Sequence, residues 1–335
     1  MKELHSLPLG PDFVRISPYR LVSRHKPNAA SRSRWLEGAL IEANGGYGCI
    51  HPWPELGDPP LEACLADLAG ARRWPIVRRA LRCAEFDRVA RRFEHSLFEE
   101  LEVPISHATM SVADPALLET AVERGFKTVK LKCGRSPSHE ATFLNEQGKN
   151  HPELRWRLDF NEQLTPSEVD DFLESLSTGV RCAIDFLEDP CPYSESAWKK
   201  LHATHRIPLA VDREAAPHRT AAQVMVIKPN LDEPLLLAEA ALSTQQSVVV
   251  TSAMDHPVGQ TFAAWEAARL QLQFPGLVGV CGLQTHHGFE PNPFIQWLGD
   301  WTPDFHPPAG LGLGFDELFD ELVWQDWPRR FGVEL

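Results

Sequence analysis

Residues 127–134 read KTVKLKCG. The run is short, apolar and β-branched, which predicts a strand. On a strand Lys130 and Lys132 share one face, and Val129 and Leu131 take the other. Two neighbouring ammonium groups repel, and each is expected to lower the other's pKa. Outward from this run the same rhythm repeats. Strands are expected at VPISHATM (103–110), LRWRLDFN (154–161), CAIDFLED (182–189), IPLAVDR (207–213), VMVIKP (224–229), SVVVTSA (247–253) and, less distinctly, GVCGLQTH (279–286). Amphipathic helices are expected between them, among them PALLETAVERG (115–125), SESAWKKLHATH (194–205) and EPLLLAEAALST (233–244). TPSE (165–168) opens another as a capping box with Pro at the first helical position. Strand and helix alternating about eight times predict a (β/α)8-type barrel. The rival is an open doubly wound sheet, but no G-x-G-x-x-G follows any strand.

Residues 1–100 read differently. WLEGALIEANGGYGCIHPWP (35–54) holds two apolar runs around NGG, a hairpin signal. DPPLEACLADLAG (58–70) and the long run from Trp74 to Leu101 read as helices. An α+β capping domain is therefore expected over 1–100, with the barrel over 101–310. The tail GLGLGFDELFDELVWQDW, within 310–335, is expected to return to the cap.

The 335 residues are 43% hydrophobic and carry a net charge of −13, with Lys and Arg dispersed. Nucleic-acid binding requires a concentrated basic surface, so that class is excluded. Seven scattered cysteines without a C-x-x-C pair point to neither a disulfide framework nor a zinc ribbon. The start MKELHSLPLGPDF lacks the apolar core of a signal peptide, and no run reaches the length of a membrane span. A cytoplasmic protein with no membrane partner is expected. The oligomeric state is open, and a monomer is compatible with everything read.

In a barrel, chemistry sits at the C-terminal ends of the strands. Those ends carry Lys130 and Lys132, then Asp159 and Asn161, then Glu188 and Asp189, then Asp212 and Glu214, then Lys228. Three converging carboxylates cannot all stay ionised without a cation. All-oxygen ligands suit Mg2+. An amine beside a second ammonium and a divalent ion is expected to have a depressed pKa and to work as a base. Such a site removes a proton α to a carboxylate.

The motifs K-x-K, RLDFN, FLEDP, AVDRE and VIKP, in this order on successive strands, resemble the enolase superfamily, whose Lys base with Mg2+ is a pattern known for this group. The closest likeness is to the o-succinylbenzoate synthase family in its shorter, divergent form. It rests on RLDFN, FLEDPCP, the overall length and the economical N-terminal unit. The resemblance implies a modified TIM barrel with an N-terminal cap and a Mg2+ site with Mn2+ as a substitute, its ligands Asp159, Glu188 and Asp212. It implies Lys132 as the base, assisted by Lys130, with Lys228 opposite. The expected reaction is dehydration of 2-succinyl-6-hydroxy-2,4-cyclohexadiene-1-carboxylate to o-succinylbenzoate in menaquinone biosynthesis. The alternatives are an N-succinylamino acid or dipeptide racemase/epimerase on the same fold and a non-catalytic barrel.

Substrate contacts are expected from Asn161, Ser252 and Arg157. Ser252 lies where the family places serines, and backbone donors there, near a helix N-terminus, are expected to hold a carboxylate. TSAMDHP departs from that pattern by having fewer serines, and GLQTHHGFEPN matches it poorly. Asn161 and Ser252 also read as plain loop residues. Arg157 is expected to hold water or a neighbouring carboxylate. Asp189 and Glu214 read as supports. His107 either lines the pocket or is a satisfied core histidine. Adjacent His286 and His287 point opposite ways on a strand, so no shared metal is expected. Cys133 and Cys191 read as packing. The loop from Ser23 to Ser33 reads as a polar lid.

Overall fold

The computed structural model describes residues 14–26, 31, 33–212 and 217–327. The first described unit is an antiparallel sheet of β1 (Val14–Val22), β2 (Trp35–Ala43) and β3 (Gly46–Ile50), backed by helices α1 (Leu61–Leu68) and α2 (Pro75–Arg92). Asn44 and Gly45 make the β2–β3 turn, both with positive φ (53° and 86°), as a primed hairpin turn requires. β3 then lies so close to α2 that a side chain at Gly48 would start 2.3 Å from the Ala80 carbonyl oxygen. The strand β11 (Gln325–Asp326) pairs antiparallel with β1 at the other edge, so the tail does return to this sheet.

The second unit is a parallel sheet in sequence order: β4 (Ala108–Met110), β5 (Thr128–Lys132), β6 (Arg155–Asp159), β7 (Ile184–Glu188), β8 (Leu209–Val211), β9 (Val224–Ile227) and β10 (Ser247–Val250). Helices α3 (Pro115–Glu123), α4 (Pro137–Asn150), α5 (Pro166–Ser175), α6 (Thr178–Ala183), α7 (Glu195–His205), α8 (Pro234–Ser243) and α9 (Pro257–Gln273) lie between and after the strands. Short helices α10 (Pro293–Trp297) and α11 (Asp316–Asp320) follow. The predicted capping box is present at α5: Thr165 Oγ1 accepts from Glu168 N, and Glu168 accepts from Thr165 N.

The eighth stave is not a regular strand. Residues 277–282 run between β10 and the segment before β4. Their hydrogen bonds, His107 N to Cys281 O (2.7 Å) and Gly282 N to Val250 O (2.8 Å) among them, close the barrel. The reason is local. A side chain at Gly282 would start 2.7 Å from His107 Nε2, so only glycine lets the segment approach. The fold is a modified TIM barrel with an N-terminal cap.

Register aligns the acids. Lys132 pairs with Asp159, and Asp159 with Glu188. The second pairing depends on a bulge: Trp156 faces Ile184 but Arg157 faces Phe186, so Asp185 is an extra residue on β7. Without it Asp159 would face Leu187, and Glu188 would fall on the opposite face of the sheet.

Candidate active site

Six of the strand-end charges, Lys130, Lys132, Asp159, Glu188, Asp212 and Lys228, are joined in ion pairs. Lys130 Nζ lies 2.5 Å from Glu188 Oε1 and 2.9 Å from Asp159 Oδ2. Lys132 Nζ lies 2.5 Å from Asp159 Oδ2 and 3.4 Å from Asn161 Oδ1. Lys228 Nζ pairs with Asp212. Asp159, Glu188, Asp212 and Lys130 are all buried. Buried charges persist only when paired, and here each lysine is the partner of an acid.

The electrostatics reverse one expectation. Burial disfavours the Lys130 ammonium, but Asp159, Glu188 and Asp212 outweigh it, and its pKa rises instead of falling. Lys228 is likewise raised: burial opposes its charge, and Asp212 overrides that. The sequence made the lysine–lysine repulsion visible but not the short contacts to acids on neighbouring strands. Burial also pushes Asp159 up, but Lys130 and Lys132 hold it well below the usual carboxylate range. Glu188 goes the other way, raised by burial first and then by the charge of Asp159.

Among the described residues, no three His, Cys, Asp or Glu side chains are drawn into a ligating cluster, because the ammonium groups lie between the acids. The donor set nevertheless fits a divalent cation. It offers carboxylate oxygens on three successive strand ends, and Glu188 Oε2 is buried with no hydrogen-bond partner. Asp159, Glu188 and Asp212 are the residues that would hold the ion.

Backbone geometry turns the strand ends inward. Asn161 and Asp189 adopt positive φ (47° and 41°), which Asn and Asp tolerate better than most residues. Asn161 N donates to Asp159 Oδ1 (3.1 Å), and Asp212 N donates to Asp189 Oδ1 (3.2 Å). Asp189 therefore orients the Asp212 strand end. Glu214 lies outside the described residues, as do 27–30 and 32 of the expected lid.

Lys130, Lys132, Asn161, Lys228 and Ser252 line one cavity, together with His107, Thr251 and Thr285. A larger cleft of about 620 Å3 opens beside it, lined by Asp212, Lys228, Asp232 and Tyr193. The cap supplies Trp53 and Leu56 to both, and Trp53 Nε1 donates to Ala253 O at 2.9 Å. Sequence reading missed these two, since nothing in HPWPEL announces a contact with a loop 200 residues away. It also missed Thr251, whose buried hydroxyl has no partner.

Ser252 reaches the cavity, but its amide already donates to Gly282 O (2.9 Å) and its hydroxyl bonds Thr285 Oγ1 (2.7 Å). The expected free backbone donor at that position is therefore taken. Arg157 lines neither cavity. It does hold a neighbouring carboxylate, Asp185 (2.8 Å), and it donates to His107 Nδ1 (2.9 Å) and Val280 O (2.7 Å) below the site. Pairing of Lys130 with Arg157 across β5 and β6 puts Arg157 one layer beneath Asp159. His107 fulfils both of its readings. It accepts from Arg157, which fixes its proton on Nε2, and it faces the cavity. Burial and then Arg157 keep it neutral.

His287 lies near carbonyls of Gln284 and Thr109 (3.0 Å each) and stacks on Trp301, while His286 is buried with neither ring nitrogen bonded. Their rings stand nearly perpendicular (84°). Cys133 and Cys191 are buried in the apolar core. No helix among the described residues is long and apolar enough to cross a membrane.

Comparison with known proteins accords with this geometry. Residues 14–90 match the family model "O-succinylbenzoate synthase, N-terminal domain", and residues 114–227 match "Enolase C-terminal domain-like". An o-succinylbenzoate synthase of Bdellovibrio bacteriovorus is 29% identical over 323 residues, covering 93% of this chain and 97% of that one. One from Klebsiella pneumoniae is 28% identical, covering 69% of this chain and 78% of that one. Among solved structures, an N-succinyl Arg/Lys racemase of Bacillus cereus superimposes with a TM-score of 0.75 at 17% identity, covering 93% of this chain and 98% of that one. The L-Ala-D/L-Glu epimerase of Bacillus subtilis gives 0.72, also at 17% identity, covering 91% and 98%. At such identities the structural likeness speaks for the fold alone. Chain-long similarity to the synthases, two matching domains and the ordered strand-end charges together place the chain in the enolase superfamily, with an N-terminal domain of the o-succinylbenzoate synthase type.

Proposed function

We propose that the protein is an o-succinylbenzoate synthase, dehydrating 2-succinyl-6-hydroxy-2,4-cyclohexadiene-1-carboxylate with Mg2+ at Asp159, Glu188 and Asp212. The observation that carries the reading is the convergence of Lys130, Lys132 and Lys228 on one cavity, each paired with one or more of those three buried acids. The similarity to synthases along nearly the whole chain supports the substrate assignment. When bound, the divalent ion supplies positive charge for the substrate carboxylate as it takes up electron density.

The chain's own residues do the rest. Lys132 Nζ takes the ring proton α to the carboxylate. The resulting ammonium then returns that proton to the hydroxyl leaving from the same face, so that water departs and the ring becomes aromatic. Lys130 holds Asp159 and Glu188 in place. Lys228 supports the developing negative charge across the ring. Asn161 positions Lys132 through its side-chain oxygen, and the Thr251, Ser252 and Thr285 hydroxyls face the substrate tail. Trp53 and Leu56 roof the cavity and exclude water. Arg157 acts from beneath by fixing His107.

Direct conversion of the cyclohexadiene substrate by the Mg2+-supplemented protein tests the reading, with Lys132→Ala as its control. We expect turnover in the parent and a loss of at least about 10^2-fold in the variant, the scale of a missing general base. Two lysines flanking one cavity also satisfy the two-base requirement of a racemase. α-Deuteration and inversion of N-succinylamino acids or dipeptides in D2O, with no turnover of the cyclohexadiene, would replace the synthase by that reading.

A further inference from the structure

The opposite end of the same three staves carries a second charged feature. A groove of about 550 Å3 opens where β6, β7 and β8 begin, lined by Arg155, Arg181, Cys182, Asp185, His205 and Arg206 among others. In a chain of net charge −13 this is a local concentration of cations. Its one acid, Asp185, is engaged by Arg157 (2.8 Å), and His205 is engaged by Asp170 (2.7 Å). The three lining guanidiniums have no such partner among the described residues. Arg155 donates only to the carbonyls of Cys182 (3.0 Å) and Ile184 (3.3 Å). Arg181 reaches only the Thr178 hydroxyl, at 3.5 Å. Arg206 closes α7 in a left-handed conformation (φ 58°), which turns it out at the groove edge.

A cation at a helix C-terminus is favourable by itself, and that accounts for Arg181 and Arg206 taken singly. It does not account for Arg155, which stands at the start of a strand, nor for three arginines around one hollow. Guanidinium forks match phosphate oxygens in pairs, and neutral-oxygen partners leave their charge uncompensated. We propose that this groove is a binding site for a small phosphorylated metabolite, with Arg155, Arg181 and Arg206 as its anion ligands. The hollow has room for more than a bare phosphate, while the acidic remainder of the surface repels long polyanions. The site is independent of the reaction at the other end of the barrel and stands whichever substrate that end takes.

Calorimetric titration of the full chain with pyrophosphate at low ionic strength tests this. Saturable binding is expected. It should weaken at least tenfold in Arg181→Gln/Arg206→Gln and less than twofold in Arg92→Gln/Lys149→Gln, which removes the same charge from other exposed positions. Equal weakening in both pairs would reduce the effect to the general field of the protein. Undiminished binding in the groove pair would place the anion elsewhere. Either result overturns the proposal. Should the double variant melt early by circular dichroism, Arg206→Gln alone replaces it, with about threefold weaker binding expected and no change counting against the site.

Discussion

Asp255 offers the sharpest test of the electrostatics around the cavity. It sits on the loop after β10, 1% exposed, directly before the N-cap of α9. Its carboxylate packs so tightly on the helix's first turn that a side chain at Gly259 would start 2.1 Å from Oδ2. One oxygen, Oδ1, has no hydrogen-bond partner. Burial pushes its pKa up from 3.8 to about 7, against the lowering effect of nearby backbone amides and Lys228. The sign follows from proton counting. Between pH 4 and 7 the folded state holds a proton that the unfolded state has lost, so stability falls as pH rises through that window. A shift of this size corresponds to about 4 kcal/mol of penalty above pH 7, more than half of which develops between pH 5 and pH 8. Asp255→Asn removes the titration. Urea unfolding at 25 °C across that range should show the difference in stability, variant minus parent, growing by about 2 kcal/mol toward alkaline pH. Taking the difference cancels other groups that titrate in both proteins. A difference that stays flat within about 0.5 kcal/mol, or that shrinks with pH, would refute the assignment of a buried, raised carboxyl at this position.

Other expectations concern the floor and the wall of the barrel. Lys130→Met leaves two acids buried without a shared cation and should cost about 3–5 kcal/mol in the absence of metal, with Mg2+ restoring more stability to the variant than to the parent; paired thermal melts with and without Mg2+ check it. Glu188→Gln should weaken Mg2+ binding measured by calorimetry, and activity should fall in parallel. Gly282→Ala forces a methyl group against His107 and Thr251 and should cost about 1–3 kcal/mol by urea unfolding, because both neighbours are buried.

What the sequence made legible was local. A run such as KTVKLKC carries its own strand pattern, and each acid at a strand end sits within a few residues of the apolar run that announces it. That sufficed for the barrel rhythm, the Thr165 cap and the set of charges that meet at the cavity. What stayed hidden depends on partners far along the chain. The extra residue Asp185 that brings Glu188 level with Asp159 has no signature in IDFLED. The downward reach of Arg157 is decided by Asp185 and His107 rather than by its own strand. The rise in the Lys130 pKa required knowing that two carboxylates lie within 3 Å of its amine. The eighth stave read only faintly because GVCGLQTH is held by neighbours on both sides through scattered hydrogen bonds rather than by a regular ladder.

The pairing of β11 with β1 bears on how the molecule is made. Residues 311–326 complete the first sheet: Leu313 N binds Asp87, Phe319 stacks on Tyr47 at 3.8 Å, and Gln325 faces Ile16. In a nascent chain α1 and α2 can cover the back of β1–β3 as soon as they are made, but the β1 edge and the Tyr47 ring wait for their partners until the tail has been translated. Contacts of such sequence separation are slow to form, so the cap is expected to be the last part to mature, and the long wait makes it the segment most in need of a chaperone.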